Sequence, residues 1–97
     1  MGDKRLKHGN IIIDESTDTV RFLGYPIELT PKEYDILKTV IEQGHISTER
    51  LCELCGISGT KNNVAVHICK INEKAEDIGG RKLILYKDLG YYINEFM

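Results

Sequence analysis

NNVAVHICKINEKAED, residues 62–77, carries Val64, Ile68, Ile71 and Ala75, with Ile78 just beyond, at offsets of four, seven, eleven and fourteen. At ~100° per residue these five side chains fall within ~80° of arc, which predicts a helix with one buried stripe. Val66, Cys69, Lys70 and Glu73 lie ~140° to ~240° around from Val64. No core requires that second face, and it mixes two apolar groups with one cation and one anion, so a partner is expected there. A buried-stripe helix with a mixed outer face, following a shorter helix and a glycine-containing turn, has the pattern of the second helix of a helix-turn-helix.

Working outward, LTPKE at 29–33 places Thr30 as N-cap, Pro31 at the first helical position and Glu33 three residues past the cap. That capping box predicts a helix from Pro31. Tyr34, Ile36, Leu37, Val40 and Ile41 give it a buried stripe, and Gly44 a left-handed end. Ser47 caps a second helix over 48–55, with Leu51, Leu54 and Cys55 inward and Gly56 as its stop. Beyond the loop 57–61, which holds Ser58, Gly59 and Thr60, Asn62 is the expected cap of the third helix. Ahead of the helices, NIIID (10–14) and TVRFL (19–23) read as a hairpin. Gly24 turns the chain into a third strand over 25–29, which Pro26 confines to an edge. After Gly79-Gly80, KLILY (82–86) and YYIN (91–94) read as a second hairpin turned by residues 87–90.

Ninety-seven residues, 41% hydrophobic and 29% charged, describe one ordinary globular domain. No apolar run reaches a membrane span or a secretory signal, so a cytoplasmic location without membrane contact is expected. The net charge is −2, but unevenly spread: residues 9–60 hold four cations against nine acids, and residues 61–97 six against five. The third helix and second hairpin can therefore still form a local basic patch. Lys4, Arg5 and Lys7 read as a solvated linker and not as a DNA-binding arm. Three cysteines without an export signal imply reduced thiols. Cys52 and Cys55 have CxxC spacing, yet both lie on a helix beside Leu51 and Leu54, where cysteine acts as a small hydrophobe. Neither a metal nor another cofactor is expected. Nor is catalysis, because no nucleophile setting or phosphate loop is present.

In this order and spacing, LTPKEYDIL (29–37), STERL (47–51), VAVHI (64–68) and LGYYI (89–93) resemble the winged-helix effector domain of OmpR/PhoB-type response regulators, over residues 9–94. The resemblance implies an α+β winged helix-turn-helix: a small amino-terminal antiparallel sheet, three helices and a carboxyl-terminal hairpin wing. The domain boundaries expected are 9–97, with 1–8 as linker or tail, and KRLKHGN looks like the end of an interdomain linker behind a receiver domain. In that family the third helix enters the major groove and the wing reaches the neighbouring minor groove. Carried over by position, the DNA-contacting residues are Asn62, His67, Cys69, Lys70, Asn72, Lys74 and Lys87, and the outer-face Val66 joins them as a contact for a thymine methyl. The chain departs from the family at 62, 69, 70 and 72, where arginines are common, and at Glu73, where a cation is common. RNA polymerase is a further partner that the resemblance implies, through the loop 57–61, which is short for that role.

The function expected is sequence-specific binding of duplex DNA for transcriptional regulation, as a monomer in isolation and a dimer on DNA. The alternative is a protein-interaction winged helix in which Val66, Cys69 and Glu73 face a protein and DNA is not bound.

Overall fold

The computed structural model describes residues 5–57 and 61–94 and, of residues 61 and 62, the backbone alone. Strands β1 (Arg5–His8), β2 (Ile11–Asp14), β3 (Thr19–Phe22) and β4 (Tyr25–Ile27) form an antiparallel sheet in chain order. Pairing of Ile13 with Val20, Ile11 with Phe22 and Val20 with Ile27 sets these five apolar residues on one face, and all are buried. Alternation with period two makes that face the floor of the core. Pro26 lies in β4, the edge strand, as expected.

β1 corrects the reading of residues 1–8 as linker. Arg5–His8 pairs along its whole length with β2, placing Leu6 opposite Ile13 and half-burying it against the core. One apolar residue in four is a faint signal because an edge strand is held by backbone hydrogen bonds and touches the core on one face only. Arg5 and Lys7 are exposed on the other face; Lys4 lies outside the described residues.

Helix α1 (Pro31–Gln43) begins at the expected capping box. The Glu33 N–H donates to Thr30 Oγ1 and the Thr30 N–H to Glu33 Oε1, each at 3.2 Å. Gly44 ends it with φ 79° and ψ −74°, a positive φ but not the left-handed helical conformation expected. A short strand that the sequence did not announce, β5 (His45–Ser47), follows, and Ser47 then caps helix α2 (Thr48–Cys55) by accepting from the Arg50 N–H at 3.2 Å. Leu51 and Cys55 are buried, whereas Leu54 is 47% exposed, contrary to expectation. Its position, three residues past Leu51 but one short of Cys55, carries it off the narrow face that α2 presents to α1 and α3.

Helix α3 (Lys61–Gly79) starts one residue before Asn62, which is therefore inside the helix and not its cap. Val64, Ile68, Ile71 and Ala75 are buried and Ile78 half-buried, as the stripe required. The last two strands, β6 (Ile84–Lys87) and β7 (Gly90–Ile93), form the hairpin, displaced by one or two residues from the expected runs. β7 lies in the middle of a second sheet, with β5 on its other side. The connection between α1 and α2 is thus hydrogen-bonded to the wing. One buried cluster joins both sheets and all three helices.

Candidate nucleic-acid interface

Asn72, on the flank of α3, orients the helix against the wing. Its Oδ1 accepts from the backbone N–H of Leu83 and of Ile84, and its Nδ2 donates to the carbonyl of Ile84, all at 3.0 Å. The residue is 8% exposed. With both lone pairs of its oxygen and one of its two amide N–H donors taken by buried backbone groups, the nearly enclosed side chain is turned toward the wing, so the expectation of Asn72 as a DNA contact is corrected to a clamp.

Lys74 is likewise engaged. Its ammonium donates to Glu33 Oε1 at 2.6 Å, and Glu33 is 1% exposed. Burial pushes the Glu33 carboxyl up, but the Lys74 hydrogen bond, the Thr30 N–H and the Lys74 charge together hold it below the usual carboxylate value, with His67 adding a contribution of the same sign. Lys74 therefore ties α3 to the first turn of α1, and the ammonium expected among the DNA contacts is engaged in this internal pair.

His67 is half-buried, and its Nδ1 is enclosed with no hydrogen-bond partner among the described residues. It borders a depression shared with Lys32, Gly56, Ile57, Asn63 and Val66. The side chain of Asn62 and the loop 58–60, where polymerase contact was expected, lie outside the described residues.

What remains outward on α3 is the face expected from the periodicity. Val66 is 51% exposed, and Cys69, Lys70 and Glu73 are exposed with it. The Cys69 thiol donates to Glu73 Oε1 at 3.7 Å, a weak bond. Lys70 and Glu73 form no ion pair with each other or with another described residue. From Val66 to Glu73 is seven residues, ~10 Å of helix, or about three base pairs of duplex. Beside this face, a groove of about 500 Å³ runs between α3 and the wing, bordered by Cys69, Glu73, Glu76, Leu85, Tyr86 and Tyr91. Tyr86 and Tyr91 meet edge to face with centroids 5.1 Å apart, which stiffens the hairpin along that groove.

The wing closes on two central residues, Asp88 and Leu89, with φ of 54° and 60°. Two positive φ values mark the type I′ geometry that suits the twist of a hairpin; aspartate tolerates it, but at leucine it costs roughly 1 kcal/mol or more. Lys87, exposed, precedes the turn, and its carbonyl is hydrogen-bonded to His45 Nε2 at 2.8 Å. The Leu89 carbonyl accepts from the Thr48 N–H at 3.3 Å and from Thr48 Oγ1 at 3.4 Å, at the start of α2. Leu89 itself is 74% exposed. Lys87 is the wing residue that the resemblance implies; Leu89 carries no charge or motif to mark it, and its one signal in the sequence is its place beside Asp88 in the turn between two strand-like runs.

These elements define a winged helix-turn-helix: α3 packed on α2, an outer face free on α3, and a hairpin alongside. The chain is 29% identical over 96 residues to the response regulator protein PmrA of Pseudomonas aeruginosa, a match that takes in 94% of this chain and 42% of PmrA. Its fold matches that of the response regulator AdeR DNA-binding domain in complex with an intercistronic region, with a TM-score of 0.82, 27% identity, and coverage of 92% of this chain and 98% of that one. It also matches the response regulator DrrB of Thermotoga maritima, an OmpR/PhoB homologue, at a TM-score of 0.77 and 26% identity, over 93% of this chain and 44% of DrrB. The relatives of this chain are thus response regulators of the OmpR/PhoB type, and it has the fold of their effector domains. It spans less than half the length of PmrA. No protein-family model matches it.

Proposed function

We propose that this chain is the effector domain of a two-component response regulator and binds duplex DNA in a sequence-specific way to regulate transcription in the cytoplasm. The observation that carries the reading is the outer face of α3. Val66, Cys69, Lys70 and Glu73 are exposed on a helix whose opposite face is buried, whose flank is clamped by Asn72 and whose width matches the ~12 Å major groove. The AdeR domain, similar in fold and sequence, was solved with DNA bound. Lys70 then contacts a base edge or phosphate, Val66 a thymine methyl, and Lys87 a phosphate or the minor groove. The action is binding and not catalysis. Among the described residues no helix is long and apolar enough to cross a membrane, and no cluster of metal-ligating side chains is present.

Glu73 on the same face favours the second reading, a winged helix whose partner is a protein. Selection from random duplex DNA at low and moderate salt separates the two. The expected result is an enriched motif; weak, featureless binding that vanishes with salt would move the assignment to the protein partner.

A further inference from the structure

Two leucines in this chain adopt the left-handed backbone conformation that leucine disfavours, and their surroundings differ. Leu23, at φ 55° in the β3–β4 turn, places its side chain against the carboxyl end of α3: a Cβ at Gly79 would lie 2.6 Å from Leu23 Cδ1. Leu23 is 43% exposed, so about half of its side chain is covered by that contact and its surroundings. Leu89, at φ 60°, is 74% exposed, and nothing in the described chain covers it. Glycine at this position would relieve the strain at little loss of internal contact. Strain that no internal contact offsets is a reason to look for an external one.

The placement of Leu89 is also fixed. Two hydrogen bonds from Thr48 hold its carbonyl to the start of α2, and the bond from His45 holds that of Lys87, so the tip cannot swing freely. The wing stands beside α3 across the groove bordered by Cys69, Glu73 and Tyr86. With α3 filling a major groove, an element flanking it must pass over the phosphate ridge and end at the adjacent minor groove. We propose that Leu89 is an apolar wedge that enters the minor groove beside the α3 contact and selects an easily unstacked pyrimidine–purine step there. Its role rests on the DNA-binding reading. Leucine is among the side chains that open base steps from the minor groove, and TA and CA steps open at least cost. Lys87, next to it, supplies the cation for the flanking phosphate; Asp88 makes a shallow, purely electrostatic approach unfavourable.

The test compares wild type, Leu89→Gly and Leu89→Ala in selection from random duplex DNA. Leucine to alanine keeps the Cβ and its backbone strain but removes the wedge, and leucine to glycine removes both. Wild type is expected to enrich a major-groove motif plus a pyrimidine–purine step about five base pairs from its centre, half a helical turn away. Both variants should keep the major-groove motif, lose the step preference and bind about 5–10-fold more weakly. Leu89→Gly should melt no lower than wild type. 2-Aminopurine placed at the step should brighten on binding wild type and stay quenched with Leu89→Ala. Variants that retain the step preference, or that weaken all sequences equally while 2-aminopurine still brightens, would overturn the wedge and leave DNA binding standing. A wild type that enriches no motif would remove both.

Discussion

Asn72 satisfies with one side chain three backbone groups that α3 and the wing would otherwise bury unpaired. Leaving such groups without partners costs ~1–3 kcal/mol each before water enters. Asn72→Ala is therefore expected to destabilise the domain by about 2–4 kcal/mol, read from urea unfolding. A change below half a kcal/mol would show that the clamp is dispensable. The Glu33–Lys74 pair makes a second prediction, with a definite sign. Because the folded carboxyl titrates below its ordinary value, the pair contributes stability that is present above the unfolded value of ~4.3 and lost as pH falls through the lower, folded one. Lys74→Ala should cost about 2 kcal/mol at pH 7, less than the ~3–5 kcal/mol of a fully enclosed pair because the Lys74 side chain is 37% exposed. The stability gap between wild type and Glu33→Gln should narrow from pH 6 to pH 3. A gap constant over that range would mean that the pair is not what holds the carboxyl ionised.

At the level of elements, α3 is where sequence and structure agree most closely and where they part most instructively. Its buried and exposed faces follow from a period of 3.6 alone, and the capping box of α1 from Thr30 and Glu33 three residues apart. Local rules of that kind act within a turn or two of chain and held for these two features, although not for Leu54 or for the start of α3 at Asn62. The strands β1 and β5 were not legible because their pairing is made by backbone groups, which every sequence carries, and their partners lie elsewhere along the chain. The same reason hid the true work of Asn72 and Lys74. A polar residue at the edge of the outer face looks identical in sequence whether it meets a phosphate or a carbonyl of its own wing, and only the docking of β6 and α1 on α3 decides. Lys70 stays outward, so Lys70→Ala should weaken binding to the selected motif by about 1–3 kcal/mol and relax one position of it. Lys38, paired with Glu15 at 3.1 Å on α1, is the control. Equal losses from Lys70→Ala and Lys38→Ala would show that overall charge and not this face supports binding.

For the whole molecule, a net charge of −2 and an outer face with one lysine and one glutamate limit the counterions that a single copy can release. A lone domain is expected to be a monomer that holds one half-site weakly. Fusion to a dimerising module should strengthen binding to paired half-sites by ~10²-fold or more through effective concentration, while leaving a single site nearly unchanged. Equal gain on both probes would rule out pairing as the source of affinity. One part of the fold also sets what such a site can look like. Since β5, which joins α1 to α2, is laddered to β7, and Asn72 of α3 is hydrogen-bonded to the backbone of Leu83 and Ile84 at the start of the hairpin, the reading helix and the hairpin tip are jaws cut from one piece, a caliper without a slide. A single base pair inserted between the two contacted segments of DNA moves the second by ~3.4 Å and turns it by ~34°. Among the described residues these bonds leave no joint with which to follow. Such an insertion should abolish the hairpin contribution at a stroke, so that the inserted site and a site lacking the second segment bind with the same affinity.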